Sequence, residues 1–188
     1  VFDSLIDKPN FCGMRSEIRQ VQEIVKQKNN VVLYGPRNFG KTSMIKNIII
    51  PQFEKTHSNS FVLFVDFMGV KTLEDIYQKI VLGFEKAFKK SFPIKNIMHQ
   101  VTNNLKNISA EITIDPITKE PAFGIKVTNI KQDFDSLMKS LIDLQQKKNL
   151  LIVCDEFQDI SLVNKAEEEL RGYFQQFDSA SIVIMGSM

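Results

Sequence analysis

Apolar positions along this chain fall into two recurring patterns. Residues 16–28 (SEIRQVQEIVKQK) place Ile18, Val21, Ile24 and Val25 at helical spacing, which predicts an amphipathic helix. Asn29-Asn30 breaks it, and VVLY at 31–34 is a β-branched run too short for a helix. Residues 41–54 return to a helical pattern, with a stop or kink expected near Pro51. FVLFVDF at 61–67 predicts a second apolar strand that ends in Asp66. From 71 to 90, Leu73, Ile76, Ile80, Phe84 and Phe88 share one helical face. LLIVCD (150–155) reads as a third strand, 165–177 as a helix and SIVIMG (181–186) as a fourth strand. Continuous apolar strands separated by helices predict an α/β fold, a parallel sheet with helices on both faces.

One stretch breaks that rhythm. Residues 108–130 (ISAEITIDPITKEPAFGIKVTNI) alternate with period two on either side of a polar, Pro-containing turn. This predicts a small β-hairpin insertion, with Ile112/Ile114 and Ile125/Val127 as its apolar positions. It reads as a structural flap or a small lobe on the main sheet.

Composition narrows the class. Of 188 residues, 43% are hydrophobic and 24% charged, enough apolar material for a sizeable core and against intrinsic disorder. The net charge of +2 gives no global pull toward nucleic acid or membrane. Its distribution is uneven: from Leu150 onward seven acids face two bases, leaving +7 on residues 1–149 and −5 on the rest. No apolar run approaches a membrane span, and VFDSLIDKPNF has no signal-peptide pattern. Cys12 and Cys154 sit in unrelated contexts, which suits reduced thiols and a cytoplasmic setting. His57 and His99 are isolated and read as surface residues. Phe84 and Phe88 in FEKAFKKSFPIK (84–95) fall at core spacing, so the interleaved lysines read as solvated.

Chemistry concentrates first at GPRNFGKT, residues 35–42, which fits G-x-x-x-x-G-K-[ST] (the Walker A pattern). It follows an apolar strand and opens a helix, which is the context that pattern requires. A phosphate chain needs inward-pointing backbone N–H donors, and Gly35 and Gly40 let the loop curl around it. Pro36, Arg37, Asn38 and Phe39 complete the loop, and Ser43 follows it at the helix start. The helix N-terminus adds its positive dipole end. Lys41 is expected to set its ammonium on the β- and γ-phosphates, and to face solvent when no nucleotide is bound. The Thr42 hydroxyl is a hard oxygen ligand for Mg²⁺. The bland alternative is a glycine turn carrying an exposed lysine.

The second concentration is LLIVCDEFQDI, residues 150–160. A carboxylate ending an apolar strand is costly unless something binds it. Asp155 is therefore expected as a partner of Mg²⁺ through water, and Glu156 as the base that orients the water attacking the γ-phosphate (a Walker B pair). The alternative is that the pair caps the next helix or turn. Asp159 reads as a loop or cap residue rather than a third metal acid. Arg171 (EEELRGYF) reads as part of a salt-bridged helix face with Glu167 and Glu168, with an arginine finger as its sharper reading.

Together GPRNFGKT, LLIVCDEFQDI and SIVIMGS resemble the additional-strand P-loop ATPases, and more narrowly the archaeal-type ATPases at the AAA+/STAND border. FCGMRSEI (11–18) is similar to that group's opening segment, except that Gly13-Met14 stands where the group has Gly-Arg; no arginine contact is carried over. The resemblance implies a strand order of 61–67, 150–155, 181–186, 31–34. It further implies that Ser187 is a polar sensor near the γ-phosphate and that Phe11 and Gly13 lie beside the adenine.

The expectation is a P-loop ATPase core over 1–188, binding ATP with Mg²⁺ and hydrolysing it slowly as a nucleotide-driven switch. ATP rather than GTP rests on the resemblance and on the lack of a guanine-reading Asn/Thr-Lys-x-Asp. A nucleotide-held binding module, and a DNA-associated ATPase of the origin-recognition or transposition type, are the other classes in view. A homo-oligomer or a protein partner is compatible with each. The Asp-Glu pair supplies a water-activating base, which argues against a kinase. The resemblance also implies a fifth strand and a helical lid after Met188, hence a C-terminally truncated core with an open edge at 31–34.

Overall fold

The computed structural model describes residues 14–91, 110–114, 121–125 and 129–187. Four strands, β1 (Val31–Gly35), β2 (Ser60–Asp66), β5 (Asn149–Asp155) and β6 (Ala180–Ser187), form a parallel sheet in the order β1-β6-β5-β2. This is the order the resemblance implies. β3 (Ala110–Ile114) and β4 (Pro121–Ile125) pair antiparallel as a separate two-stranded sheet, with Ala110 opposite Ile125 and Ile114 opposite Pro121. The two strands fall within the segment where a hairpin is expected, and they pair with each other rather than with the main sheet.

Among the described residues, six helices and two irregular helical turns connect these strands. α1 (Arg15–Lys26) leads into β1. α2 (Lys41–Met44), a π-helical turn (Ile45–Ile49) and α3 (Ile50–Thr56) run on without interruption. The stop expected near Pro51 does not occur: helical residues continue to Thr56. Proline lacks the N–H for the preceding turn and its ring crowds a carbonyl four residues back. Here the helix widens by a π turn immediately before the proline and carries on to Thr56.

α4 (Leu73–Ser91) is capped by a reciprocal pair. Asp75 Oδ2 accepts from the Thr72 N–H and the Thr72 hydroxyl oxygen accepts from the Asp75 N–H. α5 (Ile130–Leu144) starts at Asn129, whose side chain accepts from the Gln132 N–H. The sequence pattern above did not single out α5, although Phe134, Leu137, Met138, Leu141 and Leu144 follow helical spacing and are buried. A 3₁₀ turn (Phe157–Leu162) and α6 (Ala166–Phe174) join β5 to β6.

Alternation along the strands divides the interior into two cores. On one face Phe61, Leu63, Val65, Leu150, Ile152, Cys154 and Ile182 meet Ile76, Ile80, Phe84 and Phe88 of α4 and the apolar side of α5. On the other, Leu151, Val153, Val183 and Met185 meet Val21 and Val25 of α1 and Met44, Ile45 and Ile49. Each large side chain so buried contributes about 1.5–3 kcal/mol, and these contacts position the strand ends. One strand escapes double coverage. Val31 and Leu33 of β1 pack inward, while Val32 and Tyr34 are 67% and 62% exposed.

Phe84 and Phe88 are fully buried, as their spacing implies. His57 is half-buried rather than a surface residue, its ring 4.5 Å from that of Phe53. Arg171 is exposed and forms no ion pair with Glu167 or Glu168; the ion pairs in this region join Lys131 to Glu169 and Asp135.

Candidate nucleotide site

The loop after β1 and the carboxyl ends of β5, β6 and β2 meet at one edge of the sheet. Gly35 pairs in register with Ser187, and Asp66 with Asp155. Four strand ends separated widely in sequence are thereby gathered around the start of α2.

The loop's curl is made at Asn38 (φ 59°) and Gly40 (φ 83°). Both are in the left-handed region, which glycine enters freely and asparagine tolerates. Gly35 departs from expectation. It retains strand geometry, and a Cβ there would meet nothing within 4 Å. Pro36, Arg37, Asn38 and Phe39 are exposed, whereas Ser43 is buried under the loop. The helix begins with the Met44 N–H on the Gly40 carbonyl at 2.8 Å.

Lys41 is not solvent-facing. It is 9% exposed, and its ammonium donates to the carbonyls of Gly35 and Pro36, both at 2.9 Å. The loop carbonyls hold the charge inside the concavity, at the place where a phosphate oxygen would compete for it.

Across 113 residues of sequence, the Thr42 hydroxyl donates to Asp155 Oδ2 at 2.7 Å. Burial pushes the Asp155 carboxyl above the ordinary carboxylate range. Its bonds from Thr42 and the Glu156 N–H oppose that rise, and the charges of Asp66 and Glu156 add to it. The site thus holds a buried carboxylate short of positive charge, in contact with a hydroxyl oxygen. Two hard oxygens at this separation suit a small divalent cation.

Glu156 has a left-handed backbone (φ 49°), which costs a non-glycine residue roughly 1–2 kcal/mol. Its side chain does not cap the following 3₁₀ turn, so the capping alternative lacks its hydrogen bond. Glu156 Oε2 instead accepts from Gln158 Nε2. Gln158 Oε1 accepts from the Ser187 N–H at 3.0 Å. Asp159 acts as a loop tie, with Oδ2 accepting from the Gly69 N–H at 2.7 Å. Gln158 and Asp66 are residues at this edge to which the sequence reading assigned no role. Their placement depends on strand order and on a turn conformation that no spacing rule exposes.

Phe11, Gly13, Cys12 and His99 lie outside the described residues. Among the described residues no cluster of three or more His, Cys, Asp or Glu side chains could hold a metal ion. No helix of those residues is long and apolar enough to cross a membrane. A cavity of about 200 Å³ lies between α1 and α3, lined in part by Gln22, Lys26, Phe53 and His57. None of the strand-end residues above lines it.

A β1-β6-β5-β2 parallel sheet covered by helices, with a phosphate loop leaving β1 and an Asp-Glu pair ending β5, defines a P-loop ATPase. The chain belongs to the family described as an ATPase domain predominantly from Archaea, whose model matches residues 11–184. It is 26% identical over 164 residues to an uncharacterized ATP-binding protein of Methanocaldococcus jannaschii, covering 83% of this chain and 45% of that protein. A second such protein from that organism is 22% identical over 176 residues, covering 91% and 46%.

Among solved structures, the Walker-type ATPase of Pyrococcus abyssi aligns at a TM-score of 0.55 and 16% identity, over 98% of this chain and 48% of that one. The Aeropyrum pernix ORC1 protein in complex with DNA aligns at 0.60 and 15% identity, over 96% and 40%. The ORC2 protein of that organism, in ADPNP and ADP complexes, aligns at 0.57 and 16% identity, over 99% and 44%. These likenesses concern the fold. The chain spans less than half the length of the relatives it matches.

Proposed function

We propose that this domain binds ATP with Mg²⁺ and hydrolyses it as a nucleotide-driven switch of AAA+/STAND type. The observation that carries this reading is the 2.7 Å contact of the Thr42 hydroxyl with the buried Asp155 carboxyl; Thr42 is next in sequence to Lys41, whose ammonium is held on the loop carbonyls. In this reading the backbone N–H groups of residues 37–43 surround the phosphates, and Lys41 exchanges its two carbonyl acceptors for phosphate oxygens. Thr42 and Asp155 would hold Mg²⁺, which supplies charge neutralisation at the phosphates. Glu156 would accept a proton from the attacking water and hold its lone pair toward the γ-phosphate. Ser187, level with Gly35 at the end of β6, would be a polar sensor within reach of the γ-phosphate or the attacking water.

Glu156→Gln tests the reading. The amide retains the shape and cannot take a proton, so ATP affinity should persist while steady-state phosphate release falls by about 10²-fold or more. Parallel loss of binding and turnover would make Glu156 structural.

A second reading draws on the fold likeness to ORC1, solved with DNA: a DNA-associated ATPase. It requires salt-dependent duplex binding with a slope that reports several phosphate contacts. Affinity indifferent to salt would remove it.

A further inference from the structure

We propose that Gln158 is a positioning residue that ties the Glu156 carboxylate to the end of β6 at Ser187. The inference deepens the proposed hydrolytic role of Glu156 and rests on it. Three observations converge on this side chain. Its amide nitrogen donates to Glu156 Oε2 at 2.5 Å and to Asp159 Oδ1 at 3.1 Å, and its amide oxygen accepts from the Ser187 N–H at 3.0 Å. The orientation of the amide follows from its partners. A backbone N–H can only donate, and carboxylate oxygens can only accept, so the reversed amide would lose all three bonds.

Glu156 needs such a tether. Its backbone is left-handed, and the next residues turn at once into the 3₁₀ segment, so the local chain alone does not hold the side chain in one direction. A hydrogen bond to one carboxylate oxygen sets the rotamer and leaves the other oxygen for a water. The second end of the tether is equally specific. A Cβ on Gly186 would sit 3.0 Å from the Tyr34 ring and 3.4 Å from Gln158 Oε1, so the Gln158 amide packs directly against β6 beside Ser187. Ser187 is also the register partner of Gly35, where the phosphate loop begins. Gln158 therefore joins the loop edge of the sheet, through β6, to the carboxylate at the end of β5. A displacement of β6 against β5 by what occupies the loop passes to Glu156 through one side chain.

The test is Gln158→Met, which retains length and volume and removes all three hydrogen bonds. Turnover should fall by about 10-fold with KM for ATP unchanged. Glu156→Gln combined with Gln158→Met should be no slower than Glu156→Gln alone, because the two residues act as one unit. A second readout needs no activity. In the ligand-free chain, Glu156→Ala should move the Gln158 side-chain amide resonances and, through the shared amide, the Ser187 backbone resonance. Gln158→Met with parental turnover, or a Ser187 resonance indifferent to Glu156→Ala, overturns the proposal. Normal turnover in Glu156→Gln overturns instead the reading of Glu156 as the base, and the resonance experiment still decides whether the tether exists.

Discussion

Thr42 and Asp155 are hydrogen-bonded at 2.7 Å although 113 positions separate them, and Asp155 is among the few buried charged residues of the described chain. Its carboxyl is held above its ordinary pKa mainly by burial. Such a group binds more protons folded than unfolded between its unfolded value, near 3.9, and its raised folded value. Its contribution to stability is therefore most favourable at low pH and is lost as pH rises through that window. Asp155→Asn should melt higher than the parent at neutral pH without ligand, by roughly 2–4 °C per kcal/mol. The difference should vanish in acid, and Mg²⁺-nucleotide should no longer raise the melting temperature. Thermal melts across pH, with and without ligand, check each part.

Lys41 donates to two loop carbonyls, so its replacement acts on the empty protein as well. Lys41→Ala should lose nucleotide affinity by more than 10-fold. It should also destabilise the loop by about 1.5–3 kcal/mol, the scale of hydrogen bonds to a charged group. Calorimetric titration with ATP and a denaturant melt separate the two effects. Unchanged affinity would overturn the phosphate-loop assignment.

Gly83 lies in the middle of α4, where alanine would ordinarily stabilise a helix by about 1 kcal/mol. Its Cα instead faces β2. A Cβ there would sit 2.7 Å from the Phe64 carbonyl oxygen and 3.3 Å from the side chains of Leu63 and Val65. The nearest neighbour is backbone and cannot rotate away. Gly83→Ala should destabilise by about 1–3 kcal/mol, read from the urea midpoint at constant m-value.

Asn129 opens α5 by accepting from the Gln132 N–H, while its own N–H donates to Asp133 Oδ2 at 3.0 Å. Asn129→Ala should cost about 1 kcal/mol. Asn129→Asp should recover much of it, since the carboxylate accepts the same bond and suits the positive end of the helix. Equal stability of Ala and Asp variants would show that the cap contributes nothing.

Much of this protein was legible in its sequence because the governing physics is local. VVLY, FVLFVDF, LLIVCD and SIVIMG are short apolar runs between helical patterns and read as strands, although Val32 and Tyr34 of the first stay exposed, and GPRNFGKT carries its strand-loop-helix context with it. The antiparallel pairing of 110–114 with 121–125 was equally visible, since period-two alternation needs no outside partner to be recognised. Local rules failed where a distant group intervened. Pro51 reads as a helix stop, yet a preceding π turn and the apolar seats of Ile45, Ile49 and Phe53 carry the helix past it. Lys41 reads as an exposed cation, yet the folded loop returns two carbonyls to its ammonium.

Sequence alone therefore determined the class of sheet, its four strands and the loop that carries the G-x-x-x-x-G-K-[ST] pattern, because periodicity and motif spacing act over a few residues. Tertiary structure alone decided what stands beside what at the sheet's edge. Parallel register puts Ser187 level with Gly35 and Asp66 level with Asp155, and the Glu156 turn brings Gln158 between β5 and β6. Those neighbours are set by how strands pair across the sheet, and hydrogen-bonding groups meet there by register rather than by spacing along the chain.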